Sequence, residues 1–465
     1  MNLSNNSVIL SLKEKIGYSL GDAASNLYFQ IVMAFIPIFY TDVFGLPAAA
    51  LSVMFLVTRL WDAVNDPIMG IIADRTNTRW GKYRPYLLWV ALPFTIVSVL
   101  TFTTPDFDDT GKLIYAYLTY TLMMMFYTAV NVPYSALMGV MTSSNVERTK
   151  LSSFRFVAAF SGGLIVQSTI LYLVKFFGNG NEALGWQWAV ACLGGLAFIL
   201  FIITFLSTKE RVYPPKEQKL NFKQDLRELF TNKSWVIIGI ATIFQLIFIV
   251  TRTGSVTYYV KYYIREQDFN FLGSMSHLSI EFLTSAFLVS GSVALILGAI
   301  LSNRFTKNID KRTIYGSFLV SSALVCSIYY LIPADSLILI YAANLIISFL
   351  FGTVSVLQWA MYTDSADYGE WKFGRRATGL IMAASLFALK LGLTLGGAII
   401  GWILAAYNFE PNVTQTDYSL TGIVLLISVI PAIFGILGGL LMIFYPITNK
   451  KMIDIEEDLK TRRAE

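Results

Sequence analysis

The chain has 465 residues, 55% of them hydrophobic and only 14% charged, with a mean hydropathy of +0.59. A soluble domain carries about 25% charged residues, so a water-exposed globular fold is excluded. One histidine (His277) and two cysteines (Cys192, Cys326) exclude a structural zinc site, a disulfide framework or an iron–sulfur cluster, and the net charge of +5 would point to nucleic acid only if the bases clustered on one soluble face.

Residues 1–16 lack a long apolar core and a small-residue cleavage site, so no cleaved signal peptide is expected. From there apolar runs of roughly 20 residues, the length that crosses a hydrocarbon core of ~30 Å, recur to the end of the chain. There are twelve, at about 17–41, 47–73, 86–104, 113–140, 151–174, 186–207, 236–262, 281–302, 313–332, 336–362, 377–407 and 420–446. They must be helices, because lipid offers no partner to an exposed backbone amide and the runs are too continuous for barrel strands. Both cysteines fall in such runs, which predicts buried, reduced thiols.

The bases alternate with these runs. With the N-terminus inside, the outside loops hold only Lys112, Lys175, Lys261 and Arg265, and most of the 35 Lys and Arg lie on the inner side. That asymmetry sets both termini in the cytoplasm of a plasma or inner membrane and removes the nucleic-acid reading. The polar stretch 208–234 divides residues 1–207, six spans, from residues 235–446, six more, with a cytoplasmic tail at 447–465. Within it Phe222, Leu226 and Phe230 recur every four residues, which predicts an amphipathic tether helix on the cytoplasmic surface. Gly70, Asp74 and Arg75 leave the second span much as Gly298, Asn303 and Arg304 leave the eighth, an echo that points to two six-helix repeats. The expected fold is an all-α membrane protein of twelve transmembrane helices in two six-helix halves.

An ionisable residue at mid-membrane costs about 2.5–3.5 kcal/mol, so each one retained there needs a partner or a polar cavity. Asp22, Arg59, Asp62, Asp66, Arg155, Arg252 and Lys390 all lie within spans. A solvated cavity between the halves would remove most of that cost. In the second span, RLWDAVNDP sets Asp62 and Asp66 one turn apart on a single helical face, with Asn65 beside them. Two carboxylates and an amide oxygen suit Na⁺ or a proton, so Asp62 and Asp66 are the metal ligands if the ion is Na⁺. Pairing of Arg59 with Asp62 accounts for one acid and leaves the other. Arg155 is close enough to the inner surface to snorkel, whereas Lys390 is too deep to do so, and Arg252 divides between helix packing and substrate. Asn26, Asn131, Gln358 and Trp359 add amides and an indole face, groups that suit the hydroxyls and C–H faces of a sugar.

At these residues the chain resembles the glycoside-pentoside-hexuronide:cation symporter family of the major facilitator superfamily, closest to its xyloside-type branch. The resemblance runs nearly the full length, through KIGYSLGDAASN, YTDVFGLPA, RLWDAVNDPIMGIIADRTNTRWGKYRPY, NVPYSAL, SFRF, LQWAMYTDSADYGEWKFGRRATGL and LKLGLTLGGAIIGW. It implies a cation site at Asp62, Asn65, Asp66 and Thr128, and sugar contacts at Asn26, Asn131, Arg155 and Lys390. Melibiose-transporting members carry acids at the positions of Asn26 and Asn131, and a Trp at the position of Ser355, one turn before Trp359. The resemblance therefore implies a different glycoside, a xyloside or related pentoside, taken up with Na⁺ or H⁺ by alternating access. Neither covalent chemistry nor a cofactor is expected. A uronide, a lysolipid, and a channel or receptor role are the alternatives. Asp364, Asp367, Arg375 and Arg376 are candidate gating residues that would lock the halves together from a cytoplasmic loop, with Asp74, Arg75, Arg79, Lys82 and Arg84 acting likewise, and Arg59 within the second span is a further gating candidate.

Overall fold

The computed structural model describes residues 9–464 except 143–144, 212–226, 228, 272–273, 308 and 375–377. The chain divides into two compact units, Met1–Glu217 and Gln218–Glu465. The first contains α1 (Leu12–Ile38), α2 (Ala48–Arg75), α3 (Arg84–Trp89), α4 (Ala91–Thr101), α5 (Asp109–Met141), α6 (Asn145–Gly178) and α7 (Glu182–Ser207). The second contains α8 (Lys233–Tyr258), the strands β1 (Gln267–Phe271) and β2 (Ser274–Leu278), α9 (Ile280–Phe305), α10 (Lys311–Ile328), α11 (Leu337–Phe373), α12 (Thr378–Ala406), α13 (Asp417–Ile427), α14 (Val429–Leu441) and α15 (Asn449–Ala464). Two of the expected spans are broken helices. The third is α3 followed by α4, and the twelfth is α13 followed by α14, which separate at Ser428 where ψ is −92°.

Each membrane helix must satisfy its first amide groups before it enters lipid. Ser11 and Glu14 do this for α1 through a reciprocal capping box, and Asp108, Asn181, Asn232, Ser279 and Thr416 cap α5, α7, α8, α9 and α13 with side-chain oxygens. The short polar segments between apolar runs therefore set where the helices begin.

Within the first unit α1 packs along α6 and α7, α2 along α5, and α4 along α7. Within the second, α8 packs along α12 and α14, α9 along α11, and α10 along α14. The order is the same in both: first crossing with fifth and sixth, second with fourth, third with sixth. This shared packing is a clearer repeat than the glycine echo. A Cβ at Gly298 would fall 1.8 Å from the Phe349 carbonyl oxygen, and one at Gly352 would fall 2.0 Å from that of Leu295, so α9 and α11 touch backbone to backbone. Gly70, the supposed counterpart of Gly298, has nothing nearer than Val132 Cγ1 at 3.9 Å.

The loop after α2 is held from α7. The Glu210 carboxylate accepts the backbone N–H groups of Lys82 and Tyr83 at 2.8 Å and of Arg84 at 3.0 Å. Gly81 approaches it at φ +111°, where a Cβ would lie 2.4 Å from Glu210 Cδ. Near the same side Glu147 binds Lys15 at 2.7 Å and Lys150 at 2.9 Å. Those two ammonium groups hold its carboxyl down, to about 2.

One expectation changes, and two loops carry structure beyond the sequence reading. Cys192 is exposed on α7 while Cys326 is buried, and both are free thiols. An apolar run in a membrane protein marks lipid contact as readily as burial. The loop between α8 and α9 forms an antiparallel hairpin that pairs Asp268 with His277. In the linker, Phe222 and Leu226 lie outside the described residues and Phe230 is exposed, but the neighbouring Leu229 is buried against Trp235, Ala366 and Ile381. The end of the linker is thus anchored in the second unit.

Candidate functional site

A charged cluster within the spans of the first unit joins α1, α5 and α6. Asp22 and Arg155, 133 residues apart, form a two-pronged ion pair, with Arg155 Nη2 donating to Asp22 Oδ1 at 3.1 Å and Nε donating to Oδ2. The Tyr134 hydroxyl lies 2.9 Å from Asp22 Oδ2 and 2.7 Å from the Tyr18 carbonyl, and Tyr18 returns a bond to the Tyr134 carbonyl at 2.9 Å. The guanidinium sits 5.1 Å from the centre of the Tyr134 ring and 5.7 Å from that of Tyr18. The side chains of Arg155 and Asp22 keep 23% and 14% exposure, so the pair is sheltered but reachable. Its geometry uses the forked guanidinium on a carboxylate, with two aromatic faces completing the cation's surroundings.

Asn26, one turn beyond Asp22 on α1, donates Nδ2 to the Asp22 carbonyl at 2.9 Å. Asn131 on α5 donates in the same way to the Tyr127 carbonyl at 2.9 Å. Both amides are partly exposed and turn one N–H back onto their own helices, and each keeps a second N–H and a carbonyl oxygen. Tyr18 and Tyr134 are absent from the sequence-derived set. The signal for them is an in-span acid, Asp22, with no base within a turn of it on its own helix.

On the other side of α5, Thr128 donates to Asp66 Oδ1 at 2.9 Å, and Thr128 is buried. This bond ties α2 to α5 at the proposed cation position, with Asn65 partly exposed beside it. The side chains of Arg59 and Asp62 lie outside the described residues, although α2 runs through both.

In the second unit Gln358 is buried in a neutral network. It donates to the Tyr362 hydroxyl at 2.9 Å and to Thr242 Oγ1 at 3.3 Å, and accepts from Gln245 at 3.1 Å; Tyr315 donates to Gln245 at 2.5 Å. Trp359, the next residue, points elsewhere: it is 42% exposed and packs edge-on against Tyr362. Gln358 and Trp359 therefore do not share one surface. Lys390 is partly exposed on α12. Arg252 is buried, donates to Asn344 at 2.5 Å, and lies over Phe287 and Tyr329; no ion pair involves it among the described residues. Of the gating candidates, Asp364 is held by Lys311 at 2.7 Å inside its own unit, Asp367 is partly exposed on α11, and Arg375 and Arg376 lie outside the described residues.

A family model described as MFS/sugar transport protein matches residues 17–449. The chain belongs to that family. This MFS sugar transporter is 39% identical over 455 residues to the inner membrane symporter YicJ of Escherichia coli (strain K12), covering 97% of this chain and 96% of that protein. It is 33% identical over 454 residues to the isoprimeverose transporter of Lactiplantibacillus pentosus, with 96% and 91% covered. It is 32% identical over 460 residues to the glucuronide carrier protein homolog of Escherichia coli (strain K12), with 98% and 96% covered. A solved D-xylose–proton symporter shares the fold with a TM-score of 0.62 at 15% identity, covering 92% of this chain and 96% of that one. The resemblance to glycoside-pentoside-hexuronide:cation symporters thus holds. The MFS sugar transporter is a multi-pass membrane protein of twelve-helix type that couples sugar to a cation, and it is not an enzyme.

Proposed function

We propose that the chain imports a neutral pentose-containing glycoside, a xyloside of the isoprimeverose kind, together with Na⁺ or H⁺ by alternating access, with both termini cytoplasmic. The observation that supports this reading is the Asp22–Arg155 pair. An anionic sugar needs a cation for its carboxylate, and the arginine on α6 is not left over for it, being already matched in charge and geometry by Asp22. What the cluster offers a ligand is a carboxylate edge, a guanidinium edge, the Tyr18 and Tyr134 faces, and the carbonyl oxygens of Asn26 and Asn131, a set suited to hydroxyl groups. Lys390 and Trp359 are the second unit's proposed sugar contacts, and Gln358 acts by supporting the helix that carries Trp359.

The coupling ion is assigned to Asp66, Thr128 and Asn65 with Asp62. Bound there, it cancels carboxylate charge and favours the sugar-binding geometry, and by linkage sugar then tightens ion binding by the same factor. One charge crossing 100 mV supplies about 2.3 kcal/mol, roughly 50-fold accumulation. Asp364 and Asp367, with Arg59, Arg375 and Arg376, are the proposed gating group.

The test is uptake of a labelled xyloside into membrane vesicles with imposed Na⁺ or H⁺ gradients, competed with unlabelled xyloside or glucuronide. Xyloside competition under one of the gradients is expected. The likeness to the glucuronide carrier homolog favours a uronide as the second reading, and stronger competition by glucuronide would select it. Uptake indifferent to both ions would refute coupling at Asp66.

A further inference from the structure

A cavity of about 410 Å³ lies where α10 begins and α14 ends. Its floor is backbone: a Cβ on Gly316 would fall 2.8 Å from the Gly439 carbonyl oxygen, and one on Gly439 would fall 2.7 Å from that of Gly316. At its outer end stand Arg312, Thr313 and Ser317, the last two exposed. Deeper in, Val320 and Gly439 line it, with Leu440 and Met442 beside them; Ile443, two residues before the Tyr445 carbonyl that holds Arg312, stands nearer the mouth and is 69% exposed. Helix α10 carries the wall from Arg312 to Val320, about 12 Å into the apolar layer at 1.5 Å per residue.

The two ends differ in chemistry as the two ends of a phospholipid do. Arg312 is fixed at the mouth by donating Nη1 to the Tyr445 carbonyl at 3.0 Å, with Asp310 at 3.8 Å too distant to hold it in a forked pair. Its neighbour Lys311 turns away to Asp364, so Arg312 is the base that faces the cavity. The wall around Ile443 and Phe444, 69% and 72% exposed, meets acyl chains in a membrane-spanning protein.

We propose that this groove holds one anionic phospholipid, its phosphate on Arg312 and Thr313 and one acyl chain laid over Gly316 and Gly439. Bases at the membrane surface between transmembrane helices recognise anionic headgroups in this way, and the apolar groove adds a length-dependent contribution that a free phosphate lacks. The site is independent of the sugar and the coupling ion.

The experiment is native mass spectrometry of the purified full-length protein with phosphatidylglycerol, phosphatidylcholine or inorganic phosphate added, on wild type, Arg312→Gln and Ser317→Trp. The expected result is one phosphatidylglycerol retained more strongly than the others, a preference over phosphatidylcholine reduced about fivefold in Arg312→Gln, and loss of the retained lipid in Ser317→Trp, whose indole would occupy the groove from an exposed position. Unchanged unfolding temperatures in both variants confirm that the fold is intact. Retention equal to wild type in both variants, no preference for phosphatidylglycerol in the wild type, or equal competition by inorganic phosphate would overturn the proposal.

Discussion

The polar cluster of the first unit is ionic and partly open, whereas that of the second is neutral and closed. Asp22 and Arg155 keep measurable exposure and carry full charges, while Gln245, Gln358 and Tyr362 are buried and consume one another's donors and acceptors. The difference separates two reasons for polar atoms inside an apolar protein. A closed neutral network fixes how helices pack and is costly to open, because each unmatched group loses its only partner. A reachable ion pair can exchange its bonds with a ligand, because water or a hydroxyl can replace either side.

The strongest test of that contrast is Asp22→Asn. It leaves Arg155 with its charge but without its partner, so affinity for a neutral xyloside should fall by about 100-fold, in line with roughly 3 kcal/mol for a broken sheltered pair. Inhibition by glucuronide should rise at the same time, since the freed guanidinium can take a carboxylate. Binding measured by competition in vesicles checks both, and unchanged xyloside affinity would reduce the pair to helix packing.

The opposite outcome is expected for Gln358→Leu. Losing three hydrogen bonds from a closed network should destabilise the protein by about 1–3 kcal/mol and lower its unfolding temperature, while KM for sugar changes less than twofold. A tenfold rise in KM with no loss of stability would restore Gln358 to the sugar site and erase the contrast.

These two residues also show what the sequence could and could not reveal. Spans were legible because hydrocarbon thickness demands about 20 apolar residues, and the acids and bases within them stood out against that background. Which face each residue occupies was not legible. In water a polar residue marks the outside of a helix, but in a membrane helix lipid contact and core are both apolar, so periodicity carries little information. Gln358 and Trp359 are neighbours in sequence and both meet Tyr362, yet one is buried and the other exposed, and Cys192 sits in an apolar run yet is exposed. Asp22 and Arg155 were both identified, yet their pairing across 133 residues needed the packing of α1 on α6. The packing order shared by the two units was likewise invisible, whereas the Gly70 and Gly298 echo was visible and marked no shared contact.

Thr128→Ala sharpens the comparison inside the first unit. Its hydroxyl is an observed partner of Asp66, so its loss should raise the concentration of coupling cation needed for half-maximal uptake by about tenfold, the lower end of the worth of one hydrogen bond to a charged group. Xyloside affinity at saturating cation should stay within twofold of wild type. If both parameters move together, Asp66 and the Asp22 cluster act as one site rather than two linked ones.

The smallest effect concerns a third kind of polar group, an ionic cluster centred on the buried Glu147. Lys15 and Lys150 hold the Glu147 carboxyl at about 2, below its ordinary value of 4.5. A depressed acid contributes stability that is complete above the unfolded value and disappears as pH falls through the folded one. Unfolding temperature should therefore hold from pH 7 to about 4.5 and fall between there and about 2. Glu147→Gln should start slightly lower at pH 7 and decline less steeply across that acid window, because it has no proton to take up. Since this cluster lies apart from both buried groups, neither sugar affinity nor cation dependence should follow it. A change in transport with Glu147→Gln at pH 7 would show that even the contacts at the start of α6 set the geometry of Arg155.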